Sequence, residues 1–187
     1  MKRLFSFFVL LLLLKSCAVS NAVLYDYNLD VDFEAFSTYV LCSDDFMVLN
    51  KEHPKIDNES VRILIGDAVA EAMEARAHRT NVFEPELQAG FRIAIKERSD
   101  SFKDCEDSDD LEYWENCQIQ NTSYMQETLV VYVAEFATNK VIWQASIPCD
   151  LKKSNDKLQP YITELVNQLF DTYPKTKNAA KTESNTL

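Results

Sequence analysis

Glu127-Thr128-Leu129-Val130-Val131-Tyr132-Val133-Ala134-Glu135-Phe136, a break at Ala137-Thr138-Asn139, then Lys140-Val141-Ile142-Trp143-Gln144-Ala145-Ser146-Ile147: two β-branched and aromatic runs joined by a short polar link predict an antiparallel hairpin. Upstream, Phe91, Ile93 and Ile95 alternate with Arg92, Ala94 and Lys96, the period-two pattern of a strand with one face buried. Two shorter strand-like runs lie earlier, at Val23–Asp30 and Thr38–Cys42, around a turn-like Asp32-Phe33-Glu34.

Two helices complete the set. Val61, Leu64, Ile65, Ala68, Val69, Ala72 and Met73 recur at three- and four-residue intervals behind the capping residues Asp57 or Asn58, so a helix runs from there to about His78. A second follows Lys153, with Pro160 in its opening turn and a stripe of Ile162, Leu165, Val166, Leu169, Phe170 and Tyr173 ended by Pro174. The order predicts an α+β domain: an antiparallel sheet of about five strands with both helices on one face. It spans residues 23–174, and the polar residues 175–187 read as a disordered tail.

Residues 1–22 form a different kind of segment. Lys2 and Arg3 precede an apolar run from Leu4 to Leu14, followed by Lys15-Ser16-Cys17 and the small residues up to Ala22. A positive start, a short apolar centre and a small-residue exit are an export signal, and the run is shorter than the roughly 20 residues of a permanent spanning helix. Leu14-Lys15-Ser16-Cys17 has the form of a lipobox, which would make Cys17 a lipidated amino terminus; cleavage after Ala22 would instead release a soluble secreted protein. The expected address is the cell envelope.

The chain of 187 residues carries 30 Asp plus Glu against 19 Lys plus Arg, a net charge of −11. Such a surface repels phosphate backbones, so nucleic acid is excluded as a partner and membrane contact is expected through lipid rather than a basic patch. Of five cysteines, Cys17 belongs to the leader. The other four form an even set in an exported chain and predict two disulfides. Cys105 with Cys117 is the favoured pair, because they flank one polar insertion, which leaves Cys42 with Cys149.

The insertion at 104–117 is the candidate site. No metal site is expected; Asp104, Glu106, Asp107, Asp109 and Asp110 are only weak candidates for calcium by their oxygen chemistry, since the ligand order and glycine of an EF-hand are absent, and a solvated acidic loop is the plainer reading. Tyr113 and Trp114 within it are either a recognition pair or a lid on the core. His53 and His78 read as surface residues, and Trp143 as core. With no Gly-x-Ser-x-Gly elbow, no zinc spacing and no glycine-rich cradle, neither an enzyme nor a cofactor is expected. The alternative to an interaction module is a secreted calcium- or ligand-binding module using the insertion.

Asp32-Phe33-Glu34-Ala35-Phe36-Ser37-Thr38-Tyr39, the spacing Ile65, Ala68, Val69, the hairpin Leu129–Tyr132 through Lys140–Trp143, and the closing Tyr173-Pro174 together resemble a family of bacterial lipoproteins grouped under a domain of unknown function. The resemblance covers residues 23–174. It implies an α+β fold in a lipid-anchored envelope protein and brings no catalytic residues. The family's Pro-Asp-hydrophobic strand entry is here Pro85-Glu86-Leu87, and the 105–117 insertion is particular to this chain.

Overall fold

In the computed structural model, which describes residues 22–48, 51–105 and 117–175, six strands form one mixed sheet beneath two helices. The strands are β1 (Leu24–Tyr27), β2 (Thr38–Leu41), β3 (Arg79–Thr80), β4 (Leu87–Cys105), β5 (Cys117–Glu135) and β6 (Val141–Cys149), in the spatial order β1-β6-β5-β4-β2-β3. The helices are α1 (Glu59–Glu74) and α2 (Asn155–Phe170).

The α+β class and the pair of helices match the sequence expectation; the wholly antiparallel sheet does not. β2 runs parallel to both β3 and β4. The cause is connectivity. Parallel neighbours need a crossover, and α1 supplies it between β2 and the strands that flank it. β3, only two exposed residues long, carries no hydrophobic alternation by which sequence could reveal it.

One layer of apolar side chains joins sheet to helices. Phe91, Leu129, Val131, Val133, Trp143, Ala145 and Ile147 occupy alternate positions on three adjacent strands and pack against Val61, Ile65, Val69 and Met73 of α1 and Ile162, Leu165, Val166 and Phe170 of α2. Trp143 is fully buried, its ring 5.0 Å from Phe170 and 5.2 Å from Tyr173. Both helices therefore cover the same face.

Helix ends follow from local chemistry. The Asn58 side chain accepts from the Val61 amide at 3.1 Å and caps α1. At the other end Ala77 takes a left-handed φ of 62°, with His78 N bonded to Met73 O and Ala77 N to Glu74 O, a Schellman closure with alanine where glycine is usual. α2 begins at Asn155, earlier than its stripe suggests, so Pro160 lies in its second turn.

The chain's two glycines serve one feature, a 3-10 strap at Ser43–Phe46 that follows β2. A Cβ on Gly66 would overlap the Phe46 ring, and one on Gly90 would overlap the Asp45 carboxylate and the Tyr132 phenol. Asp45 Oδ2 accepts from the Phe91 amide at 2.9 Å and from Tyr132 Oη at 2.7 Å, occupying the β4 edge where β2 has ended. A strand glycine replaced by alanine ordinarily gains stability. Gly90→Ala is expected to lose about 1–3 kcal/mol, because the phenol and the carboxylate must both move; urea unfolding reads the sign directly, and an unchanged or raised midpoint contradicts this account of the strap.

Candidate functional site

The feature that extends furthest from the packed core is the β4–β5 ribbon. The two strands pair without interruption from Leu87↔Glu135 to Cys105↔Cys117, whereas β6 pairs with β5 only as far as Glu127↔Cys149. Residues 96–105 and 117–126 thus form an arm with no third strand beside it among the described residues. It is exposed and mostly polar: Lys96, Glu97, Arg98, Ser99, Asp100 and Ser101 are all exposed on β4, as are Asn121, Thr122 and Ser123 on β5, beside the exposed apolar Tyr124 and Met125. Cross-strand bonds stiffen it, with Arg98 Nε donating to Gln126 at 2.9 Å and Ser101 Oγ to Asn121 at 2.7 Å. At its base the buried Glu127 accepts from the Leu151 amide at 2.7 Å and pairs with Lys152 at 3.0 Å, which turns the chain away from β6 and leaves β5 uncovered beyond that point.

The described part of the arm ends where the expected insertion begins. Cys105 and Cys117 are register partners at the end of the ladder, and Asp104 stands opposite Gln118. Glu106, Asp107, Asp109, Asp110, Tyr113 and Trp114 lie outside the described residues, as do Cys17 and residues 176–187. Among the described residues, no three His, Cys, Asp or Glu side chains converge as metal ligands, and no helix is long and apolar enough to cross a membrane.

The second expected disulfide does not form. Cys42 and Cys149 are both free thiols. Cys42 N bonds to Ala89 O at the outer edge of β4, while Cys149 sits on β6 opposite Glu127; three strand spacings, roughly 14 Å, separate them laterally, far beyond the span of a disulfide. Burial, with Glu127 nearby, pushes the Cys149 thiol up to about 12, so this half-buried group is an inert, protonated thiol.

His78 is also corrected. It is 1% exposed rather than on the surface, held under α1 by the Schellman turn, with Nε2 3.3 Å from Tyr173 Oη and Nδ1 without a partner. Around it Arg76 donates to Ala72 O at 3.0 Å and to Phe170 O, closing the ends of both helices. Lys175, which the sequence assigns to a disordered tail, is buried and donates to Phe36 O at 2.8 Å. Burial first, then the cation of Lys175, holds His78 down at about 4. No periodic signal marks this cluster, because each member belongs to a different turn or chain end.

The octapeptide that carries the family resemblance proves to be architectural at every position where a partner is seen. Asp32 accepts from the Glu34 amide at 3.1 Å and starts the 3-10 turn Phe33–Ala35. The Phe33 ring meets Tyr173 edge-on at 5.3 Å, so the first and last family signatures touch. Ser37 and Thr38 present two amides and two hydroxyls to one oxygen of Glu86, at 2.7–3.1 Å, which draws that carboxylate down to about 2. Tyr39 is wholly buried, its hydroxyl donating to Ala70 O at 3.2 Å.

These observations define a two-helix α+β domain with an exposed β-arm, and comparison with known proteins gives it a family. The model of the family DUF4136, a domain of unknown function, matches residues 23–175; the chain belongs to that family. A DUF4136 family protein from Bacteroides thetaiotaomicron has a similar structure, 16% identical, with a TM-score of 0.50 over 83% of this chain and 96% of that one. A PDZ domain protein from Parabacteroides distasonis is similar at 11% identity and a TM-score of 0.51, over 84% of this chain and 36% of that one. At these identities the likeness concerns the fold, and this chain corresponds to about a third of the PDZ domain protein's length. No curated protein matches the chain.

Proposed function

We propose that the protein is an exported envelope lipoprotein, tethered to a membrane through lipid on Cys17, whose domain is a non-catalytic interaction module that presents the β4–β5 arm to a protein partner. The observation that carries the reading is the leader: Lys2 and Arg3, the apolar Leu4–Leu14 and then Cys17, all ahead of a domain whose first strand begins at Leu24. Only a short tether separates the lipidated residue from the fold. The roles of Asp32, Phe33, Ser37, Thr38 and Tyr39 in holding the domain together support a scaffold, and the arm's exposed strands supply a place for contact.

Intact-mass measurement on the mature protein from its native membrane fraction tests this directly. The expected product begins at Cys17 and carries acyl chains, and Cys17→Ser shifts the protein to the soluble fraction. An unmodified amino terminus at Val23 overturns the tether and leaves a soluble secreted protein.

A further inference from the structure

The outer edge of the β4 arm has a charge order that fits its own reverse. In the antiparallel ladder, Ala89 and Phe91 direct their backbone groups away from β5, toward Cys42 N and Asp45 Oδ2. By alternation Ile93, Ile95, Glu97, Ser99, Ser101, Lys103 and Cys105 do the same. Beyond the strap no described segment meets them. The unpaired edge spans 13 residues, roughly 40 Å, and a two-stranded ribbon of this kind is marginal in water by itself.

Within the chain, the charges of this segment meet none of opposite sign across the ladder. Lys96 faces Gln126, Glu97 faces Met125, Arg98 faces Tyr124, Asp100 faces Thr122, Lys103 faces Ile119 and Asp104 faces Gln118. Along one face of β4 the order is Lys96, Arg98, Asp100: two cations, then an anion. An antiparallel copy of the same strand therefore presents negative to positive on that face, a property that a parallel copy lacks.

We propose that the β4 arm pairs with the β4 arm of a second copy of this chain, antiparallel about a two-fold axis at Ser99, joining two ribbons into a four-stranded sheet. Ser99 faces Ser99 of the second copy, Glu97 faces Ser101, Ile95 faces Lys103 and Ile93 faces Cys105 in the hydrogen-bonded positions. Between them Arg98 faces Asp100 twice, by symmetry, and Lys96 lies on the diagonal from Asp100. Pairing ends at Ile93, one outward-facing position short of the strap, so the two bodies lie at opposite ends of the joined ribbon. The device is independent of how the amino terminus is processed.

Sedimentation equilibrium on the mature protein is the test. The wild type is expected to form a dimer that weakens as salt rises, since its ion pairs are exposed. Arg98→Asp sets like charges opposite each other at two symmetric places and is expected to weaken dimerisation at least about tenfold; the double variant R98D/D100R restores it. Both changes are on exposed positions, and circular dichroism checks that the domain stays folded. A protein that remains monomeric through the high-micromolar range overturns the proposal. So does a dimer indifferent to both variants, because it would use another edge, such as the uncharged outer edge of β5 or the exposed β1.

Discussion

Arg62→Met is expected to destabilise the domain by about 3–5 kcal/mol, the loss typical of a buried ion pair stripped of one partner. Arg62 is 1% exposed although it sits in the first turns of α1. Its Nε lies 2.5 Å from Asp57 Oδ1 and its Nη2 2.8 Å from Oδ2, a two-pronged match between planar groups, and its remaining nitrogen donates to the Asp45 carbonyl of the strap. Methionine fills much of the same space, so the loss comes from a buried Asp57 carboxylate deprived of its guanidinium rather than from a void. The double variant Asp57→Asn with Arg62→Met should recover a good part of it. Urea unfolding of the three proteins measures the effect; a loss below about 1 kcal/mol for Arg62→Met would mean that the pair is solvated in solution and that the strap is held by other contacts.

Acid is expected to weaken the fold in two separate windows. The imidazole of His78 is neutral in the folded state down to about 4, whereas in the unfolded chain it takes a proton near 6.5. The unfolded state therefore binds more protons between those values. Stability is fully present above the unfolded value and is lost as pH falls toward the folded one, by about 3 kcal/mol in all. The groups facing His78 set this sign: burial dominates, Lys175 and Arg76 add to the cost of a third cation, and Glu86 offsets part of it. Glu86 gives the second window, because its folded value of about 2 lies below 4.5, so its contribution is lost only as pH falls through the lower range. Its exposure to solvent keeps that second loss modest. His78→Phe keeps a ring against Tyr173 and should flatten the profile between 6.5 and 4 while leaving the lower window in place. A wild-type unfolding midpoint that is constant across the upper window would contradict a buried neutral imidazole.

How far the chain disclosed these features depends on the kind of force involved. α1, α2 and the β5–β6 hairpin are held by periodic apolar burial, and Val61, Ile65, Val69, Ile162, Leu165 and Val133 are buried as their spacing requires. The 19-residue lengths of β4 and β5 were not legible, since Lys96–Ser101 lies in a strand through ladder bonds alone and buries nothing that would leave a period. The parallel β2 was hidden because direction belongs to the connection, not to the four residues that form the strand. Arg62 stands between Val61 and Ile63 like any solvent-facing helix residue; its burial depends on Asp45 and Asp57 arriving from elsewhere. Even cysteine number, sound for an exported chain, was misleading for Cys42 and Cys149, which end strands on different sides of the sheet. Cys105 and Cys117, expected to flank the acidic insertion, are register partners where β4 and β5 end, and the residues between them lie outside the described part of the chain.

A single carboxylate at the β4 edge has a wider consequence. By accepting from the Phe91 amide, Asp45 imitates the carbonyl of a neighbouring strand for one position and then offers nothing to continue it. It works as a doorstop: with the Phe91 amide already bonded, a strand laid along the open margin of β4 can take no rung there, and its ladder is confined to Ile93 and beyond.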